Sequence, residues 1–398
     1  MKNLIRIILT ILISGFVCAQ QRISADELIE IAVSENFQNS INDARIKKAE
    51  LDRKGAVEFP KTGLFVENED FSPNEPNGVW KVGLEQEIPW PGLNKARKNY
   101  MDQLISVQQM NREAVKAEII RDIKKSYYEL WYLEQKKNLY LRLDSMYSNQ
   151  FQAANIRYNT GDVPGLDRIS AEAKLNENIA LKLQIEKEIE ILQKRLMLLT
   201  NRQELYLPEK GQLPKLEISG LESVGTHPSL LVQQQEIEVS RSLIEVQKQQ
   251  NHPDFSFRAF SQVYLGEKDP ISGFSFGMSF PLFGLRPMKN RNEAIRQEVE
   301  LKETELNWQK MNLSSMQQQS LTEVDKQKIM IDFYESSGLK DADAIISAAT
   351  LSYRSGEISF AEMNTFVIQA ISIKDKYLES LNLYNQSVIE YNYLINQN

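Results

Sequence analysis

The chain has 398 residues, 42% of them hydrophobic, and a formal charge of −7. That acidic balance argues against nucleic acid as a partner. A single cysteine, Cys18, rules out a disulfide within the chain and leaves no thiolate cluster for a metal.

The first predicted element is a secretory signal over residues 1–19. Lys2 and Arg6 form a basic start, Ile7 to Val17 an apolar run, and Val17-Cys18-Ala19 a small-residue cleavage site. Cleavage after Ala19 removes the only thiol, which suits an oxidising compartment, and takes the charge from −7 to −9 by removing two basic residues and no acids. Retention and acylation of Cys18 is the alternative, although Gly15-Phe16-Val17 lacks the leucine and small final residue such a signal wants. No later stretch holds eighteen apolar residues in a row, so no transmembrane helix is predicted, and a membrane span would have to be a closed β-barrel.

Ile23-Ser24-Ala25-Asp26-Glu27-Leu28 reads as a helix start with a capping spacing and acids in the first turn. The helix is expected to run through Asn36 to about Phe59 and stop at Pro60. Two strands follow. The outgoing one, Gly63 to Phe71, is irregular, and the return alternates through Trp80, Val82, Leu84 and Ile88, with Gln86 breaking the pattern. Trp80 and Trp90 bracket the return strand, as an interfacial aromatic girdle would. From Leu93 to Thr160 there is neither Gly nor Pro. That predicts a helix of about 68 residues, roughly 100 Å long, which needs helical neighbours throughout. Val115, Ile119, Ile123, Tyr127 and Leu130 form its packing stripe. A turn at Asn159–Gly161 leads into a return helix from about Leu166 to Gln203.

The plan then repeats with a period near 193 residues. Ile88-Pro89-Trp90-Pro91-Gly92-Leu93 matches Phe280-Pro281-Leu282-Phe283-Gly284-Leu285 at an offset of 192. Tyr158-Asn159-Thr160-Gly161-Asp162-Val163 matches Tyr353-Arg354-Ser355-Gly356-Glu357-Ile358 at an offset of 195. The second copy has a helix from Pro228 to about Gln250. Its outgoing strand is lined by Phe255, Phe257, Ala259, Ser261, Val263 and Leu265. A turn over Gly266–Pro270 leads to a return strand through Phe274, Phe276, Met278 and Phe280. A long helix from Met288 to Ser355, interrupted only by Gly338, and a return helix from Phe360 to Asn396 complete it. The predicted boundaries are a first repeat over 20–215 and a second over 216–398. The fold class is mainly α with a small β part. Strands of nine to eleven residues fit a tilted barrel, while a hairpin packed on a soluble core fits the alternation equally well.

With these motifs in order, twice over, the chain resembles the TolC-like outer-membrane efflux proteins. The Pro-x-x-Gly-Leu corners, the Tyr-x-x-Gly-acid turns and the closing segment Glu390 to Gln397 carry the likeness across the whole mature chain. The resemblance implies a homotrimer embedded in outer-membrane lipid. Its twelve-stranded β-barrel and long periplasmic α-barrel would dock on a periplasmic adaptor and an inner-membrane pump. The chain is short for such a protein, ending at the last helix, so equatorial decoration is expected mainly from Glu204 to Leu221.

The resemblance also assigns roles. Pro89, Gly92, Pro281 and Gly284 would be strand-to-helix corners. Tyr158, Gly161, Asp162, Tyr353, Gly356 and Glu357 would form turns that face the adaptor, as well as simple helix caps. Asp167 and Glu362 fall six residues beyond the turn glycines, at an acidic gate position. There, three-fold symmetry would make a ring of negative charge; the plain reading is an acid favoured at a helix start. The second acidic position is Ser170 and Thr365, which weakens the case for a double ring. Trp90-Pro91 resembles the corner of the heavy-metal branch. His227 and His252 are far apart in sequence, and no ligand spacing supports a metal site. No cofactor, nucleophile motif or phosphate loop is read, so the chain is expected not to be an enzyme. The exit duct of a type I protein secretion system is the alternative function. A periplasmic adaptor would need a Gly-rich β-domain that the sequence lacks.

Overall fold

The computed structural model describes residues 20–69, 78–220, 224–264, 270–280 and 285–397. The predicted signal with Cys18, the end of the first strand at Asp70–Phe71, the Leu265–Asp269 stretch of the second hairpin and the corner residues Pro281 and Gly284 lie outside these residues.

In chain order the elements are β1 (Gln20–Arg22), α1 (Ala25–Glu35), α2 (Phe37–Gly55), β2 (Gly63–Glu69), β3 (Val79–Ile88), α3 (Pro91–Asn159), α4 (Gly165–Thr200) and β4 (Leu205–Leu207). After a short 3-10 turn come α5 (Pro228–Gln249), β5 (Asp254–Tyr264), β6 (Ile271–Ser279), α6 (Leu285–Phe333), a π-turn (Tyr334–Gly338), α7 (Leu339–Ser355) and α8 (Phe360–Leu394). Among the described residues no helix is long and apolar enough to cross a membrane.

Three expectations need correction. The leading helix does not run through Asn36. Ser24 and Glu27 close a capping box at the start of α1, but Asn36 is extended at φ −62°, ψ 133°. Its Oδ1 accepts the Gln38 N–H at 2.8 Å while its Nδ2 donates to the Leu199 carbonyl at 2.7 Å. Asparagine competes with the helix through its own side chain, so one helix becomes two. The second of these stops at Gly55, short of Pro60. The third correction concerns the long helix of the second copy: it is not one α-helix but passes through the π-turn ending at Gly338.

The chain forms two compact units, each drawing on both halves of the sequence. One takes residues up to Asn39, Val115–His227 and those from Asn312 onward. Its main core gathers Leu28, Ile123, Leu130, Leu196, Ile331 and Val388, all fully buried. Each such side chain contributes about 1.5–3 kcal/mol by leaving water. The predicted stripe on α3 lies here: Ile119, Ile123, Tyr127 and Leu130 are buried and Val115 packs beside them. The Tyr127 hydroxyl donates to the Ile23 carbonyl at 2.9 Å and accepts the Glu209 N–H at 3.3 Å. Burial pushes its pKa up to about 12.

In the same unit, β1 pairs in parallel with β4, Gln21 opposite Tyr206. The free side of β4 and the extended segment beyond it are held by side-chain amides that imitate strand neighbours. Gln193 donates to the carbonyl of Tyr206 in β4 and accepts the Tyr206 N–H at 2.8 Å. Asn385 donates to the Pro214 carbonyl at 2.8 Å and accepts the Leu216 N–H at 2.9 Å. Asn392, two helical turns on, does the same for Glu217 and Ser219 at 3.2 and 3.0 Å. Each amide satisfies one donor and one acceptor of a backbone with no sheet of its own.

The other unit takes Ser40–Ala114 and Pro228–Met311. It contains a four-stranded antiparallel sheet in the order β2-β3-β5-β6. Leu93, Ala96 and Val246 form a small core among its helices.

Candidate channel-forming surfaces

The sheet's two faces differ in chemistry, because side chains alternate along each strand and the register aligns like with like. One face stacks Leu64 opposite Leu84, Val66 opposite Val82, Trp80 opposite Val263 and Phe257 opposite Phe276. Most of these apolar side chains are exposed: Leu64 is 74% accessible, Phe274 70% and Phe276 76%. An apolar face left this open is far from what a water-facing sheet tolerates.

The opposite face is charged and glycine-rich. Arg258 pairs with Glu67 and, at 3.6 Å, with Glu85, and Lys81 pairs with Glu69. Across the four strands one row reads Phe65, Gly83, Phe260, Gly273. A Cβ on Gly83 would meet Phe65 at 2.6 Å and Phe260 at 2.8 Å. The missing side chain is therefore required by the two rings, and Arg258, opposite Glu85, closes over the same face. That arginine reaches over β3 to Glu67 and stacks on Phe65 with its guanidinium carbon 4.0 Å from the ring centre. This clamp joins β5 to β3 and β2, and no local sequence signal announces it.

At the end of β3, Pro89 and Trp90 lead directly into α3, whose first residue is Pro91, a position where the missing N–H costs nothing. The Trp90 N–H donates to Asp254 Oδ1 at 3.1 Å. Its ring stacks on His252 at 5.0 Å and on Phe255 at 6.0 Å. A Cβ on Gly92 would strike the Gln249 carboxamide and come within 2.9 Å of the Trp90 Nε1. Gly92 is thus a close-approach position.

The two helical turns lie in the other unit. Gly161 and Gly356 have φ of 82° and 81°, in the left-handed region that glycine enters without strain. Asp162 N–H donates to the Arg157 carbonyl and Glu357 N–H to the Ser352 carbonyl, both at 2.9 Å, closing the same cap. The Tyr158 ring is 45% exposed and carries Arg168 over its face at 5.5 Å. Tyr353 instead meets Phe360 edge-on at 6.1 Å.

The gate positions diverge. Glu362 closes a capping box: its carboxylate accepts the Ser359 N–H and hydroxyl, both at 2.8 Å. The Ser359 amide, and then its hydroxyl, hold the Glu362 carboxyl below the usual range. The Ser-x-x-Glu spacing in the sequence was the available signal. Asp167 sits in the first turn of α4 behind Pro164, which offers no side-chain cap. Ser170 and Thr365 are exposed, and the Thr365 hydroxyl bonds back to the Ala361 carbonyl at 2.9 Å. Among the described residues no group of three or more His, Cys, Asp or Glu side chains could hold a metal ion.

No family model and no curated protein matches the sequence. Solved structures do match the fold. The outer-membrane channel OprN aligns over 94% of this chain and 90% of its own, with a TM-score of 0.77 at 14% identity. The Campylobacter jejuni outer membrane channel CmeC aligns over 93% and 85%, with a TM-score of 0.78 at 12% identity. The chain has the outer-membrane channel fold. CusC, which forms a transmembrane channel, gives 0.76 at 12% identity over 96% of this chain and 95% of its own. Near-complete coverage in both directions means that the channel fold accounts for the sheet and the helices together. These neighbours are channel proteins rather than enzymes.

Proposed function

We propose that the chain is one subunit of an outer-membrane exit channel, passively conducting solutes delivered by an inner-membrane pump through a periplasmic adaptor. The observation that carries this reading is the four-stranded sheet with one exposed apolar face, one charged face and two unpaired edges, β2 and β6. Lipid suits the first face and water the second. The edges must be paired, since open edges do not occur in a hydrocarbon layer. Four antiparallel strands leave β6 of one copy running antiparallel to β2 of the next, so copies join head to tail into a closed ring. Three copies, the number implied by the family resemblance, give twelve strands.

On this reading the turns at Gly161 and Gly356 face the adaptor. Rings of Asp167 and Glu362 supply the gate charge; the hydrogen bonds from Ser359 keep the Glu362 carboxylate ionised while it caps α8. The cargo, whether metal cation, drug or protein, follows from the pump and adaptor. The assembly is tested by mass measurement of the detergent-solubilised protein after cross-linking. A species of three chains is expected; a single chain that stays soluble without detergent would overturn the proposal.

A further inference from the structure

Among the described residues, the unit bearing the two turns has a main and a smaller hydrophobic cluster, and α3, α4, the α6–α7 run and α8 each pass from one to the other. The change falls between Leu133 and Leu143 on α3, and between Ile185 and Ala171 on α4. On the α6–α7 run it lies between Ile331 and Ala349, and on α8 between Leu381 and Ile371. Among the described residues only the half-buried Tyr140 packs on both clusters.

Three independent features occupy this gap. The first is the π-turn Tyr334–Gly338, whereas α3 passes through its own part of the gap as unbroken α-helix. The second is a pair of clefts open to the surface: one of about 220 Å³ beside Tyr140, Asn178 and Asp375, and one of about 290 Å³ beside Gln135, Arg142 and Leu339. The third is a set of ion pairs in place of apolar packing: Lys136 with Asp375 at 3.5 Å, Lys182 with Asp144 at 3.3 Å, and Lys374 with Asp343.

We propose that this level is a flexure built into the helical unit, with the π-turn as its pivot, so that the turn-bearing end moves as one body relative to the main core. Close-packed interiors resist bending because every atom has neighbours on all sides; a layer cut by surface clefts forfeits part of those contacts. Partly exposed ion pairs are individually weak, and their long side chains can stay engaged through a change of angle. A π-turn loosens the regular hydrogen-bond ladder at one point and is a recognised site of helix distortion. Gly338 belongs to the device: a Cβ there would come within 3.0 Å of the Tyr334 ring. The inference concerns a single chain, so it stands or falls separately from the channel reading.

Hydrogen exchange on the full chain in detergent tests it without any variant. Amides from Glu335 to Ala342 are expected to exchange at least about ten-fold faster than those from Leu139 to Met146 on α3. Equal protection would overturn the proposal. A second test puts spin labels on Lys194→Cys and Arg354→Cys in chains lacking Cys18, diluted with unlabelled chains. Deleting Ser336 turns the π-turn into continuous α-helix and is expected to narrow the distance distribution. A folded deletion variant with an unchanged distribution would rule out the pivot.

Discussion

At the Gly161 and Gly356 turns, the bonds that reverse the chain link residues six positions apart or fewer, as in Asp162 to Arg157 and Glu362 to Ser359. The segment from Leu205 to Ser219 is held quite differently. Its partners Asn385 and Asn392 stand 169 to 175 positions away, and Gln193 is 13 away. Local bonds form with little loss of chain entropy and can be exchanged one at a time. Bonds across such separations exist only once the helices have packed. The turns can therefore diverge in chemistry while keeping one backbone, whereas the part of the segment beyond β4 leans on amides whose partners lie far away in the sequence.

This contrast predicts the largest effect at Asn385. Asn385→Ala strands the Leu216 N–H and the Pro214 carbonyl and is expected to cost about 3 kcal/mol, read as a shift in the denaturation midpoint of the purified protein. A loss below about 1 kcal/mol would mean that water replaces the amide and the contrast is false. Next come the turn glycines: Gly161→Val and Gly356→Val should cost a similar amount, about 1–2 kcal/mol each, since their φ values match. A clear inequality would break the claim of one backbone.

A smaller effect separates the turns. Ser359→Ala removes the N-cap of α8 and should cost about 1 kcal/mol, while Pro164→Ala removes no side-chain cap. The smallest effect is in pH. Because the Glu362 pKa is lowered in the folded chain, its contribution is present above the ordinary value of 4.5. It fades as pH falls through the depressed value. Glu362→Gln should flatten the acid side of the stability curve, and an unchanged curve would show the capping bond to be idle. In ion-selectivity measurements Asp167→Asn and Glu362→Gln should both weaken the preference for cations, since each removes one negative charge per chain.

The same division explains what could be read from the sequence. The long helices, the turn glycines and the strands were visible because periodicity and Gly/Pro placement are local signals. Asn36 and Gly338 were in plain view, but an asparagine that ends one helix and starts the next looks like any helix-face residue until Leu199 is beside it. The β1–β4 pair is three residues long and too short to show alternation. Arg258 reads as one polar residue in an apolar strand; only the register places it opposite Glu85 and within reach of Glu67. Asp167 and Glu362 were singled out by the family resemblance, and their difference emerged only from what precedes each: proline in one case, serine in the other.

Single-channel recording in a planar lipid bilayer tests the central claim most directly. Purified wild-type protein should insert and give discrete, long-lived conductance steps, and Asp167→Asn should alter their ion selectivity. Protein that folds with its helices intact yet never conducts, however long it is held against the bilayer, would contradict the account.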